Sequence, residues 1–155
     1  MQTFLPYADF TASARVLDVK RLGKQRVETL QVMRALTIEG YGWRHHRVAK
    51  MWTWRRPSLL AYQLAVCTEW RARGFTDTCW DSTLAEISRP SLADPDSNDL
   101  LLWEQHDFPA PVWLGREEIH RSHRSKLVSK DPAHYRPLFP DVPDDLEYVW
   151  PQAER

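Results

Sequence analysis

The 155-residue chain has no long apolar run: nothing in it approaches the roughly 20 consecutive apolar residues of a membrane-spanning helix. Its opening residues, MQTFLPYADF, lack a basic stretch leading into an apolar one, which argues against a secretory signal. Cysteine is scarce. Cys67 and Cys79 stand alone without CxxC spacing, which argues against a zinc ribbon or a disulfide scaffold and predicts a reduced, cytoplasmic setting. Also missing are GxGxxG, a phosphate-binding GxxxxGK(S/T), GxSxG and HExxH, so several nucleotide-binding, serine-hydrolase and zinc-protease chemistries have no motif to rest on. Charge of one sign is not in excess either, since 21 Lys/Arg balance 21 Asp/Glu.

That balance conceals a segregation. Residues 1–56 carry 11 Lys/Arg against 4 Asp/Glu, residues 57–115 carry 3 against 9, and residues 116–136 return to 6 against 3. The tail from 137 is acidic again. Two basic blocks separated by an acidic one can fold into a dipolar molecule whose positive face suits a nucleic acid. The plainer alternative is interleaving on a solvated surface.

The apolar pattern is helical, with no convincing strands and no internal repeat. Residues 3–10 read as an extended lead-in, followed by a short helix, TASARVL, that Thr11 or Ser13 could cap. From about Asp18 to Ile38, Val19, Leu22, Val27, Leu30 and Met33 share one face at 100° per residue, with Glu28 almost opposite them. Pro57 and Ser58 precede a strong helix that Gly74 stops, and REEIHRSHRSKLVSK forms a last helix ending at Asp131-Pro132. The proline-rich tail lies extended over the helices. The expected fold is mainly α: a compact helical bundle, one domain over 1–155, with no membrane segment.

Three constellations could carry chemistry. Lys24 and Glu28 are four apart, which on a helix makes either a surface ion pair or a carboxylate poised among cations to move protons. In WRHHRVAK, the adjacent His45 and His46 point different ways and form no chelating pair. With Arg44 they suit phosphate contact instead, while Trp43, Trp52 and Trp54 read as core before they read as base-stacking platforms. In HRSHRSKLVSK, His120 and His123 sit at i and i+3, close enough for a metal only if a third ligand comes from elsewhere. Phosphate contact through Arg121, His123, Arg124 and Lys126 is the more economical functional reading.

Taken in order, LDVKRLGKQRVE, WRHHRVAKMW, AVCTEWRARGF and HRSHRSKLVSKDPAHYRPLF resemble the pyrimidine-dimer DNA glycosylase family, the phage-type endonuclease V enzymes. The resemblance implies a helical DNA-repair enzyme that acts on damaged duplex as a monomer, without metal or cofactor. Its N-terminal α-amine attacks C1′ of the damaged nucleotide. The family's catalytic glutamate, six residues after a leucine, falls on Glu28, and the backbone-binding role falls on Arg21, Lys24, Arg26, Arg44, His45, His46, Arg121, His123, Arg124 and Lys126. An α-amine suits the task because its pKa of about 8, against about 10.4 for lysine, leaves far more of it neutral.

One departure from the family stands at residue 2, where phage-type enzymes expose threonine after losing the initiator methionine. Gln2 disfavours that removal, so the nucleophile is the amine of Met1, or that of Gln2 after processing, or has been lost. A second is Val27, directly before Glu28, where the family often has arginine. The alternatives are a non-catalytic nucleic-acid-binding protein, a metal-dependent hydrolase built on His120 and His123 with His45 or His46, and an interaction module using the tryptophans.

Overall fold

In the computed structural model, which describes residues 1–155, Asp9 rather than Thr11 or Ser13 starts the first helix. Its carboxylate accepts from Ala12 N at 2.7 Å and satisfies one of the free N–H groups of α1, Phe10–Val16. Seven further helices follow: α2 Val19–Ala35, α3 Arg47–Met51, α4 Arg56–Ala72, α5 Cys79–Ile87, α6 Asp99–Glu104, α7 Glu117–Lys130 and α8 Pro132–Tyr135. There are no strands, as the periodicity implied, and no helix is long and apolar enough to cross a membrane.

Helix α4 is the hub, with α1, α2, α5 and α6 packed against it. It has no side-chain cap; Pro57 sits in its first turn and Ser58 one residue further in, where its hydroxyl donates to Pro109 O at 3.0 Å. Gly74, at φ 93°, takes the left-handed conformation that ends the helix. One cluster of 23 buried apolar residues spans α1 to α8, with Trp52, Tyr62, Trp113 and Tyr135 its largest members. The acidic stretch near residues 93–107 supplies Asp99, whose carboxylate meets the buried Arg56 guanidinium at 2.6 Å. Thr37 Oγ1 and the carbonyls of Ile87 and Arg89 take three of that cation's four other donors, so part of the acidic segment neutralises a core arginine.

Helix α2 buries a different face from the one its apolar residues suggest. Val19 and Val27 are exposed at 51% and 43%, whereas Gln25 and Thr29 are buried beside Leu22, Val32 and Met33. The reason lies in residues 2–6. They run extended through the protein interior with no strand beside them, and side chains satisfy their main chain instead. Gln25 accepts from Phe4 N and donates to Gln2 O, and the Tyr62 hydroxyl donates to Phe4 O. His123 Nδ1 accepts from Leu5 N at 2.9 Å, His120 Nδ1 meets Leu5 O at 2.8 Å, and Arg124 donates to Pro6 O at 2.8 Å. The polar stripe on α2 therefore faces polar main chain. Rotated this way, the helix carries Glu28 to the shoulder of its buried face.

Candidate active site

Helix α2 begins at Asp18, whose side chain accepts from Arg21 N and is bonded by the Tyr135 hydroxyl. Burial alone raises the Asp18 pKa, but hydrogen bonds from Tyr135 and Arg21 and the Arg21 charge outweigh it and hold the carboxyl below its ordinary value. Lys20 and Arg21 lie in the first turn, where the helix dipole disfavours cations by roughly 0.3–1 kcal/mol each, and Lys24 lies in the next. All three line the cleft that holds Glu28, with Arg21 Nη1 paired to Asp18 at 3.2 Å.

Glu28, one turn further, has a side chain only 13% exposed. Its Oε2 accepts from Gln2 N at 2.8 Å, and Lys24 Nζ stands 3.6 Å from Oε1 with its own side chain 71% exposed. Gln2 is buried, its Oε1 accepting from Thr3 N, and Thr3 Oγ1 in turn accepts from Trp52 Nε1 at 3.0 Å. The chain's first residues thus meet Glu28 at the floor of a cleft of about 290 Å³ lined by Met1, Gln2, Phe4, Lys20, Arg21, Lys24, Gln25, Glu28, Lys130 and Tyr148. Tyr148 reaches this cleft from the tail, which runs along α7 with Leu146 N and Val149 N donating to the hydroxyls of Ser125 and Ser122. Burial, then the nearby Glu28 charge, pushes the Tyr148 phenol up to about 12, so it remains a neutral donor.

The residues singled out in the sequence separate into groups. Met1, Gln2, Arg21, Lys24 and Glu28 share the cleft. Lys126 stands at its rim, 5.3 Å from the Tyr148 ring and 3.6 Å from Glu147. His46 caps α3, its Nδ1 accepting from Val48 N, with its ring between Trp43 and Trp150. Burial, then the positive terminal amine and Arg47, hold its pKa below the usual value while Glu28 opposes them, so at neutral pH it brings no charge to a phosphate. Arg44 and His45 are exposed and bonded to each other at 3.2 Å, beside a different hollow near Leu92. Arg121 is exposed and without an ion-pair partner.

Three expected backbone-binding residues are committed elsewhere. Arg26 donates to Asp77 at 2.7 Å and lies over the Trp70 ring at 4.3 Å. Its neighbour Gly23 has no room for a side chain, since a Cβ there would stand 2.9 Å from Trp70. His123 is 1% exposed, and Arg124 is spent on Pro6 O and Glu117. His120 and His123 both hold the main chain of Leu5, which removes the ring pair that a metal-dependent reading needed. Of the tryptophans, Trp52 is core, Trp54 half-buried and Trp43 39% exposed. Lys130, Gln25 and Tyr148 also line the cleft, and no motif in the sequence points to them. Gln25 was detectable as a polar residue between Leu22 and Thr29 on one helical stripe; nothing local marked Tyr148, which is 120 positions from Glu28.

A cleft lined by Lys20, Arg21, Lys24 and Lys130 that holds a half-buried carboxylate against the Gln2 nitrogen is suited to a polyanion. The profile of the pyrimidine dimer DNA glycosylase family matches residues 1–83, more than half of the chain, and the protein belongs to that family. The matched segment contains Gln2, the whole of α2 and the His46 cap. No curated protein and no solved structure matches the chain. Membership makes this a DNA-repair glycosylase with DNA as its substrate.

Proposed function

We propose that the protein is a glycosylase with abasic-site lyase activity, acting on pyrimidine dimers and abasic sites in double-stranded DNA through an imine. The amine lone pair attacks C1′ and forms the N–C1′ bond. The glycosidic bond breaks, and the base leaves with the electron pair and is protonated. The C1′–O4′ bond then breaks, O4′ keeping the electron pair and taking a proton, and the amine nitrogen becomes an iminium. That iminium makes the C2′ proton acidic; its removal expels the 3′ phosphate by β-elimination, and water then releases the amine. Glu28 is the group that steadies the iminium and carries protons. Arg21 and Lys24, together with Lys20 and Lys130, hold backbone phosphates around it, and Lys126 and Arg121 extend the positive surface. The chain acts as a monomer, as one domain, in the cytoplasm, where Cys67 and Cys79 stay free.

One observation carries this reading: the 2.8 Å contact from Gln2 N to Glu28. If processing removes Met1, that nitrogen is the free amine. If Met1 is retained, the nitrogen is an amide and the Met1 amine is the nucleophile, in the same cleft. A binding-only protein is the reading favoured if neither amine reacts, since an amide hydrogen bond to Glu28 is also a structural contact. The test is borohydride reduction on an abasic-site duplex, combined with intact mass and peptide mapping of the adduct. A covalent adduct on residue 1 or 2 supports the imine mechanism. Duplex binding without an adduct leaves the binding-only protein.

A further inference from the structure

We infer that Gln25 is a positioning residue for this reaction: it holds the chain's first residues so that the attacking nitrogen stays against Glu28. The inference rests on the amine being the nucleophile. Gln25 is 1% exposed, and its amide is fully engaged. Oε1 accepts from Phe4 N at 3.0 Å, while Nε2 donates to Gln2 O at 2.8 Å and meets Thr29 Oγ1 at 3.3 Å. Accepting from one residue and donating to the residue two before it is what a neighbouring strand would offer an extended segment. A single side chain supplies that pairing here.

Its placement on α2 gives the contact a consequence for chemistry. Gln25 and Glu28 are three apart on one rigid helix, so the clamp and the carboxylate move together. The remaining anchors of the segment come from other elements and grip further along: Tyr62 and Trp52 at Phe4 O and Thr3 Oγ1, His123 and His120 at Leu5, Arg124 at Pro6. Only Gln25 and Glu28 reach the main chain of Gln2. Loss of the Gln25 amide leaves residues 3–6 tethered and lets the first two swing.

The test measures single-turnover borohydride trapping on an abasic duplex beside affinity for a duplex with an uncleavable tetrahydrofuran site. For Gln25→Ala, trapping falls about 100-fold, as displacement of a reacting atom by about 1 Å does, with affinity unchanged and the folded fraction, by circular dichroism, intact. Gln25→Glu keeps the acceptor for Phe4 N but loses the donor to Gln2 O, and it traps at a rate between the two. Should Gln25→Ala not fold, Gln25→Glu decides: folded, tightly bound and slower supports the role, whereas wild-type trapping overturns it. Trapping that falls only in proportion to folded protein or to affinity also overturns it. A wild type that never traps removes the nucleophile reading and this inference together; an active wild type with an equally active Gln25→Ala removes this inference alone.

Discussion

The two basic blocks use their charge differently. In the first, Lys20, Arg21 and Lys24 line the cleft of Glu28; Lys20 and Lys24 remain largely in solvent, while Arg21 is paired with Asp18 at 3.2 Å. In the second, three of the six cations serve the chain itself: Arg124 holds Pro6 O, Arg136 donates to the carbonyls of Phe139, Pro140 and Val142, and Arg116 meets Glu154. A guanidinium that satisfies a buried carbonyl is part of the scaffold, and it is lost to a phosphate unless the scaffold opens. Arg26 shows that the division is not by block alone, because it lies in the first block and is bound to Asp77. Available charge therefore depends on what each donor already holds.

Substitutions can test that division, beginning with the largest effect. Glu28→Gln removes the acid and is expected to lower strand cleavage about 100-fold or more, with duplex affinity retained; an undiminished rate would break the comparison at its centre. Arg26→Ala leaves the unexposed Asp77 carboxylate with only the half-exposed Arg71 at 3.4 Å and the N–H groups of Cys79 and Trp80, at a cost of about 2–3 kcal/mol in denaturant unfolding. Acid exposes the buried side of the second block. Burial, then the nearby His120, holds the folded His123 pKa at about 3 against an ordinary 6.5. The unfolded chain therefore binds the extra proton between those pH values, and stability falls as pH drops below 6.5. The loss is roughly 2 kcal/mol by pH 5, read from urea midpoints.

Arg124→Ala orphans the Pro6 carbonyl, and about 1–2 kcal/mol of stability goes with it. Lys24→Ala sits at the other extreme. Stability changes by less than about 0.5 kcal/mol, while the slope of log affinity against log salt shrinks by about one. If Arg124→Ala changed the salt slope and Lys24→Ala the melting temperature, the assignment of the two blocks would be reversed.

The same distinction explains what could be read from residue order. Helices α2 and α4 were legible because each repeats apolar residues over several turns, and α7 through its stop at Asp131-Pro132. The short α3, α5 and α6 were not, since five to nine residues carry too few repeats to separate helix from turn. Glu28 and its cations were legible through local spacing and family likeness. The buried face of α2 was misjudged at Val19 and Val27 because its partner is polar main chain, which attracts Gln25 and Thr29. His123, Arg124 and Arg26 looked like surface cations because their partners, Leu5, Pro6 and Asp77, lie 51 to 118 positions away.

The interior course of residues 2–6 also bears on how the enzyme is made. These residues leave the ribosome well before their hydrogen-bonding partners His120, His123 and Arg124, which emerge more than a hundred residues later. During synthesis this segment waits without its berth. The nitrogen beside Glu28 is thus made early and seated late.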